Sequence, residues 1–104
     1  MPVYRDVYKL IRIVFDFTQT FPREYKYSLG QDMKRDAINL TRSIYRANRS
    51  VSKKEWLEDF LDNFEILKLE IRLCVYLHVL TLRKQAEISQ LLESIGKQVK
   101  AWKN

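Results

Sequence analysis

The segment FPREYKYSLG, residues 21–30, decides the fold because it separates two helical patterns. Pro22 disfavours helical geometry in the residue before it, so a helix that arrives from the N-terminal side must end near Thr20. Further on, Ser28 and Gln31 have the spacing of a capping box, in which each side chain bonds to an unpaired backbone N–H of a new helix. The segment therefore predicts a joint between two helices.

Apolar residues recur at three- and four-residue steps on both sides of this joint, which predicts four amphipathic helices. They cover about residues 3–20, 28–50, 52–80 and 81–102. Ser52 and Glu55 form a second capping box at the start of the third helix. Thr81 is the candidate N-cap of the fourth.

The apolar stripes of these helices predict the core. In chain order, the predicted core residues are Val3, Val7, Leu10, Ile11, Val14, Thr18, Phe21, Leu29, Met33, Ala37, Leu40, Ile44, Ala47, Trp56, Phe60, Phe64, Leu67, Ile71, Cys74, His78, Ile88, Leu91, Leu92, Ile95, Val99 and Trp102. Long helices joined by short loops pack as antiparallel neighbours. The sequence predicts an all-α, up-down-up-down four-helix bundle, with residues 1–104 as one domain.

Composition narrows the class of protein. A chain of 104 residues can bury one modest core, and two glycines and two prolines are too few for the turns of an all-β fold. No apolar run approaches the roughly 20 residues of a membrane span, and the N-terminus has no signal-peptide pattern. One cysteine cannot form an intrachain disulfide. We therefore expect a cytoplasmic protein with no membrane contact.

The formal net charge of +6 is concentrated in one part of the chain. Residues 21–54 contain nine Lys/Arg and three Asp/Glu, whereas residues 55–82 contain two and six. Such asymmetry is typical of a protein whose basic part meets a polyanion, although small helical proteins are also often basic for solubility. Charge alone leaves both interpretations open.

Arginines form a stripe on the second predicted helix. At 100° per residue, Arg35, Arg42, Arg46 and Arg49 fall within about 60° of one another, flanked by Gln31 and Asn39. Guanidinium groups bind phosphate bidentately, so such a stripe can follow a nucleic-acid backbone. The alternative is a solvated face neutralised by the acidic half of the third helix in a neighbouring subunit. Both remain open.

The back of the third helix, opposite its core stripe, becomes apolar in its second half. A large apolar face on the outside of a bundle indicates subunit association, unless neighbouring helices cover it. The residues predicted at an interface between subunits are Ile38, Tyr45, Ile66, Leu69, Leu73, Tyr76, Leu77 and Leu80. We therefore expect a homo-oligomer.

Catalytic chemistry is hard to place on this chain. Cys74 and His78 lie four residues apart on one predicted helical face, but two ligands do not make a zinc site, and no third group orients them for nucleophilic catalysis. Core packing is the better interpretation. The sequence predicts no catalytic residue, no metal site and no cofactor, and therefore a protein that is not an enzyme.

The quoted segment resembles the F-P-[KR]-x-x-R-[FY]-x-L-G turn of a known family. This family comprises the accessory variability determinant (Avd-like) proteins of diversity-generating retroelements, which are related to the four-helix proteins of 23S rRNA intervening sequences. The tail IGKQVKAWK, residues 95–103, is similar to the family ending I-G-[RK]-x-[LV]-x-[GA]-W-x. Lys26 and Ala101 depart from the commoner arginine and glycine. RANRS at residues 46–50 replaces the N-I-A-E-G of the intervening-sequence relatives, which favours the retroelement branch.

The resemblance implies a homopentameric barrel that binds RNA or DNA with little sequence preference and associates with a reverse transcriptase. Together the two support mutagenic copying of a template RNA. The resemblance also assigns nucleic-acid binding to Lys26 and to the basic position of Arg23. The alternative is a structural homo-oligomer of the intervening-sequence type, with no assigned role.

Overall fold

The computed structural model describes residues 2–104, which form four long helices and one short helix. The helices are α1, Pro2–Thr18; α2, Arg23–Lys26; α3, Leu29–Arg49; α4, Lys53–Tyr76; and α5, Leu82–Lys103. The described residues contain no strand, so the all-α class is confirmed. Across the same residues, no helix combines the length and apolar character that crossing a membrane requires.

Hydrogen bonds near the helix ends show that neighbouring helices run antiparallel. The Tyr4 hydroxyl, near the start of α1, donates to the Ile44 carbonyl near the end of α3 over 3.4 Å. The Gln98 amide, late in α5, donates to the Asp6 carboxylate early in α1 over 2.7 Å. Because α4 packs on both α3 and α5, the order around the bundle is α1, α3, α4, α5. The up-down-up-down arrangement is confirmed.

The core consists of the predicted stripes with few changes. The buried apolar side chains from these stripes are Val3, Val7, Leu10, Val14, Phe21, Met33, Ala37, Leu40, Ile44, Ala47, Phe60, Phe64, Leu67, Ile71, Cys74, Ile88, Leu92, Ile95 and Val99. Five further predicted residues are partly buried against them: Ile11, Leu29, Trp56, Leu91 and Trp102. Leu57 is fully buried although the predicted stripe omitted it. The hydrophobic periodicity of the sequence therefore predicted most of the core.

The joint at residues 21–30 contains a helical turn that the sequence pattern did not predict. The Pro22 carbonyl accepts hydrogen bonds from the N–H groups of Tyr25 and Lys26, at 2.9 and 3.0 Å, and so begins α2. Gly30 lies close beneath this turn, where an added Cβ would be 3.4 Å from the Tyr25 carbonyl oxygen and 3.5 Å from the Phe21 ring. The small residue lets α3 pack closely against the returning chain.

Both predicted capping boxes are wrong. The Ser28 hydroxyl donates backwards to the Glu24 carbonyl over 3.0 Å, and neither Ser28 nor Ser52 caps its helix with a side-chain hydrogen bond within residues 2–104. The short α2 provides the reason at Ser28, because its last carbonyls compete for the hydroxyl. The Thr81 cap is confirmed: its hydroxyl oxygen accepts from the Lys84 N–H over 3.1 Å.

α4 ends four residues earlier than predicted, at Tyr76. His78 adopts a left-handed conformation with φ of 63°, and the N–H groups of His78 and Val79 bond to the carbonyls of Val75 and Cys74. These two bonds form a Schellman motif with histidine in the position that glycine usually occupies. The prediction that His78 belongs to the core is therefore wrong, because it is exposed in the loop.

Candidate nucleic-acid interface

The outer face of α3 carries the predicted arginine stripe, and all four guanidinium groups are exposed. Arg35 pairs with two aspartates of its own helix, Asp32 at 3.2 Å and Asp36 at 3.6 Å. These pairs offset part of its charge, although surface pairs of this kind are worth at most about 1 kcal/mol. Arg35 is the one member of the stripe with a salt bridge inside the described chain.

Two other arginines rest on aromatic rings. The Arg46 guanidinium lies 4.9 Å from the centroid of the Trp56 ring in α4. Arg49 lies 5.6 Å from the Tyr45 ring and donates to the Tyr45 hydroxyl over 2.9 Å. Both partners are uncharged, so these contacts orient the guanidinium groups without neutralising them.

Within one chain, three acidic residues of α4 contact groups other than the arginines of the stripe. Asp59 accepts a hydrogen bond from the Ser43 hydroxyl over 2.7 Å. Glu58 lies 3.8 Å from Lys103 of α5. Glu65 accepts from Lys68, and this hydrogen bond, with the nearby positive charges, lowers the pKa of Glu65. Neutralisation of the stripe by a neighbouring subunit stays an alternative.

The two basic residues of the joint lie on α2. Arg23 is exposed, and Lys26 is half-buried at the last position of the same short helix. α2 packs against α3, which places both cations at the end of the bundle where α3 begins. Arg49 lies at the opposite end of α3, so the predicted binding residues span the length of that helix rather than forming one cluster.

A groove of about 550 Å³ lies between α1 and α3 beside the stripe. Its lining residues are Phe15, Gln31, Lys34, Arg35, Ile38, Asn39 and Arg42. The Lys34 ammonium lies 5.6 Å from the centroid of the Phe15 ring. Neither Phe15 nor Lys34 was predicted as a site residue. Lys34 lies on α3 next to Arg35, so helical periodicity could have placed it beside the stripe, whereas only the register between α1 and α3 brings Phe15 there.

The exposed residues of the predicted subunit interface do not form one surface. On α4, the exposed fractions are 49% for Ile66, 57% for Leu69, 43% for Leu73 and 80% for Tyr76; these four residues are called the α4 face here. Ile38 instead lines the α1–α3 groove.

Two of the other predicted interface residues, Tyr45 and Leu80, lie away from the α4 face. Tyr45 is close enough to Tyr4 of α1 to help raise the pKa of that phenol, after burial and Tyr8, so Tyr45 also lies on the α1 side of α3. Leu77 is half-buried. The prediction that Leu80 lies on the outer face is wrong, because the Schellman turn directs it into the core with 8% of its surface exposed.

Comparison with known protein families gives one match, to the family described as bAvd-like, over residues 3–104. The chain belongs to the bAvd-like family. This match covers the joint at residues 21–30, the arginine stripe and the tail, and it confirms the resemblance stated from the sequence. No curated protein matches the chain.

The bAvd-like bundle holds a pair of carboxyl groups in the seam between α3 and α4. Glu70 of α4 faces Asp36 of α3, and two carboxyl groups this close favour a proton on one of them. Burial, hydrogen bonding to Asp36 and the charges of Asp36 and Asp32 raise the pKa of Glu70 from 4.5 to about 8, and Arg35 opposes the shift. The carboxyl of Glu70 is therefore mostly protonated at neutral pH.

Cys74 and His78 do not form a site in this bAvd-like chain. The Cys74 thiol is buried and donates to the Met33 sulfur over 3.5 Å, whereas His78 is exposed in the loop after α4. Burial, together with the charge of Glu70, raises the pKa of Cys74 to about 12, so the thiol stays protonated. Among residues 2–104, no group of three or more His, Cys, Asp or Glu side chains could hold a metal ion.

Proposed function

We propose that this bAvd-like protein is a non-catalytic, nucleic-acid-binding accessory subunit of a reverse transcriptase in a diversity-generating retroelement. In this role it binds RNA or DNA without strong sequence preference and supports mutagenic copying of a template RNA in the cytoplasm. Family membership supports the accessory role. The exposed arginine stripe of α3, in which Arg35 is the one member with a salt bridge among residues 2–104, is the observation that carries nucleic-acid binding.

The stripe suits a phosphate backbone better than base edges. Arg35, Arg42, Arg46 and Arg49 follow a straight helix with a rise of about 1.5 Å per residue. Contacts with phosphates position a protein on nucleic acid but carry no sequence information, which agrees with binding of low sequence preference. Their free energy comes largely from counterion release, so affinity must fall steeply with salt.

We also propose that the protein forms a homo-oligomer, a pentamer by family resemblance, through the α4 face. Four large apolar side chains are exposed on one helix face, and burial of the exposed part of each would stabilise a contact by roughly 1 kcal/mol. A ring of subunits would repeat the arginine stripe and multiply its contacts with one nucleic-acid strand.

The binding test replaces three stripe residues at once. The variant Arg35→Gln, Arg42→Gln, Arg46→Gln should bind RNA more weakly in fluorescence anisotropy, and its plot of log affinity against log salt should be less steep by about two units. The matched control, Arg12→Gln, Arg83→Gln, Lys97→Gln, removes the same charge from other exposed positions of the chain. Equal losses in both variants would contradict a specific role for the stripe.

The same variants separate the two interpretations of the stripe. If the stripe instead joins subunits, the stripe variant should lower the molar mass measured by light scattering, which would support the structural homo-oligomer. The reverse-transcriptase partnership has its own test, co-purification of the two proteins before and after nuclease treatment. Retention after nuclease is expected for a direct contact, and loss would indicate that RNA alone tethers them.

A further inference from the structure

The α1–α3 groove combines an aromatic ring with two cations that lack salt bridges. Within residues 2–104, Lys34 and Arg42 form no salt bridge. Phe15 is half-buried and has the Lys34 ammonium 5.6 Å from its centroid. The groove also presents the side-chain amides of Gln31 and Asn39. Ring, cations and amides therefore meet in one concave site.

The charge of this groove distinguishes it from the other basic groove of the bundle. Between α4 and α5, a groove of about 400 Å³ has Lys68, Lys97 and Lys100 in its lining. There Lys68 pairs with Glu65 and Lys97 with Glu93, at 2.6 and 3.5 Å. Of the described residues, none of the seven that line the α1–α3 groove is acidic, and of its three cations Arg35 alone pairs with acids, Asp32 and Asp36. The α1–α3 groove is therefore the more attractive of the two for an anion.

An apolar face of a second copy of the chain is a poor occupant of the α1–α3 groove. A subunit packed on Ile38 through such a face would also cover Lys34 and Arg42, and burying cations without an acidic partner is costly. The apolar floor at Ile38 and the ring of Phe15 instead fit a flat base with phosphates on either side of it.

We propose that the α1–α3 groove receives one unpaired nucleotide, with its base against Phe15 and Ile38 and its flanking phosphates on Lys34 and Arg42. This inference rests on the proposed function and deepens it, because it specifies a single-stranded substrate. Bases within a duplex are stacked on one another and present no free face to Phe15. The stripe alone binds either form, and the groove adds affinity for the single strand.

The test compares a fluorescein-labelled single-stranded RNA with the same RNA annealed to its complement, using full-length protein in anisotropy. Phe15→Leu keeps an apolar side chain of similar packing but removes the ring. We expect about a tenfold loss of single-strand affinity and unchanged duplex affinity. Arg42→Gln should weaken both, because phosphates are present in both. Tyr27→Leu, at an exposed aromatic outside the groove, should change neither.

The possible results distinguish a failure of the groove site from a failure of the proposed nucleic-acid-binding function. If Phe15→Leu binds the single strand as tightly as the native protein, the groove site is wrong while the stripe stands. If Phe15→Leu changes the molar mass of the assembly, the groove is a subunit contact and the inference is overturned. If the native protein binds neither RNA, the groove and the nucleic-acid-binding function both fall.

Discussion

At the scale of single residues, the carboxyl pair of Asp36 and Glu70 departs most from ordinary bundle chemistry. A buried carboxylate is tolerated when donors surround it, but here Glu70 faces a second acid, Asp36. Within the described residues, one oxygen of Glu70, Oε1, is buried without a hydrogen-bond partner. A proton shared by the two carboxyl groups removes their charge repulsion, with Glu70 as the donor to Asp36.

Glu70 should make the stability of the bundle depend on pH. Its pKa is about 8 in the fold against an ordinary 4.5, so the folded state binds the proton more tightly. The stabilisation of the fold by protonated Glu70 is fully present below the ordinary pKa of 4.5, and it is lost as the pH rises through the folded-state pKa of about 8. Urea unfolding should therefore show a falling free energy of unfolding between about pH 5 and about pH 9.

Glu70→Gln should flatten this pH dependence and stabilise the bundle at pH 8 by about 1–2 kcal/mol, because the amide donates to Asp36 without titrating. Glu87→Gln, at an exposed carboxyl of α5, is the matched control and should keep the native slope. A native slope in Glu70→Gln would show that the shared proton does not govern stability.

At the scale of helices, the ends were harder to predict than the bodies. The core stripes follow from a period of 3.6 residues, which local sequence sets. Whether a side chain caps a helix depends on which nearby groups compete for its hydroxyl. The Ser28 hydroxyl bonds to the Glu24 carbonyl instead of its own helix, whereas the Thr81 hydroxyl accepts from the Lys84 N–H. The end of α4 is set by His78, which no glycine or proline marked in the sequence.

Alanine substitutions at Thr81 and Ser52 test the two helix N-caps. Thr81→Ala should lower the free energy of unfolding by about 1 kcal/mol, because it removes the acceptor for the Lys84 N–H. In thermal denaturation this corresponds to a loss of about 4–8 °C for a domain of this size. Ser52→Ala is the control, and its effect should be close to zero since that side chain does not cap α4. Equal losses would contradict the assigned caps.

At the scale of the whole molecule, charge and apolar surface are separated around the bundle. α4 presents its apolar face on one side, α3 presents arginines, and the groove lies where α3 meets α1. This separation allows one surface to join subunits while another stays open to nucleic acid. The binding stripe and the assembly surface should therefore respond independently to mutation.

Leu69→Asp with Leu73→Asp should dissociate the proposed oligomer without unfolding the subunit, because both side chains are exposed in the single chain and a contact through the α4 face would bury them. Sedimentation velocity should then show a monomer, and far-UV circular dichroism should stay helical. Val51→Asp with Leu82→Asp adds the same charge at exposed positions outside this face. An unchanged mass for the first pair would exclude the α4 face as the contact.

The sequence by itself determined the helical class, nearly all of the core and the family, because hydrophobic periodicity and the 21–30 segment are local signals. It also placed the arginines on one face of α3, since 100° per residue fixes that geometry within a helix. Tertiary structure decided what no local pattern contains. The register of α1 against α3 brought Phe15 to Lys34 and Arg42, and the register of α4 against α3 brought Glu70 to Asp36. These contacts depend on how separate helices pack, which is fixed only when the whole core closes.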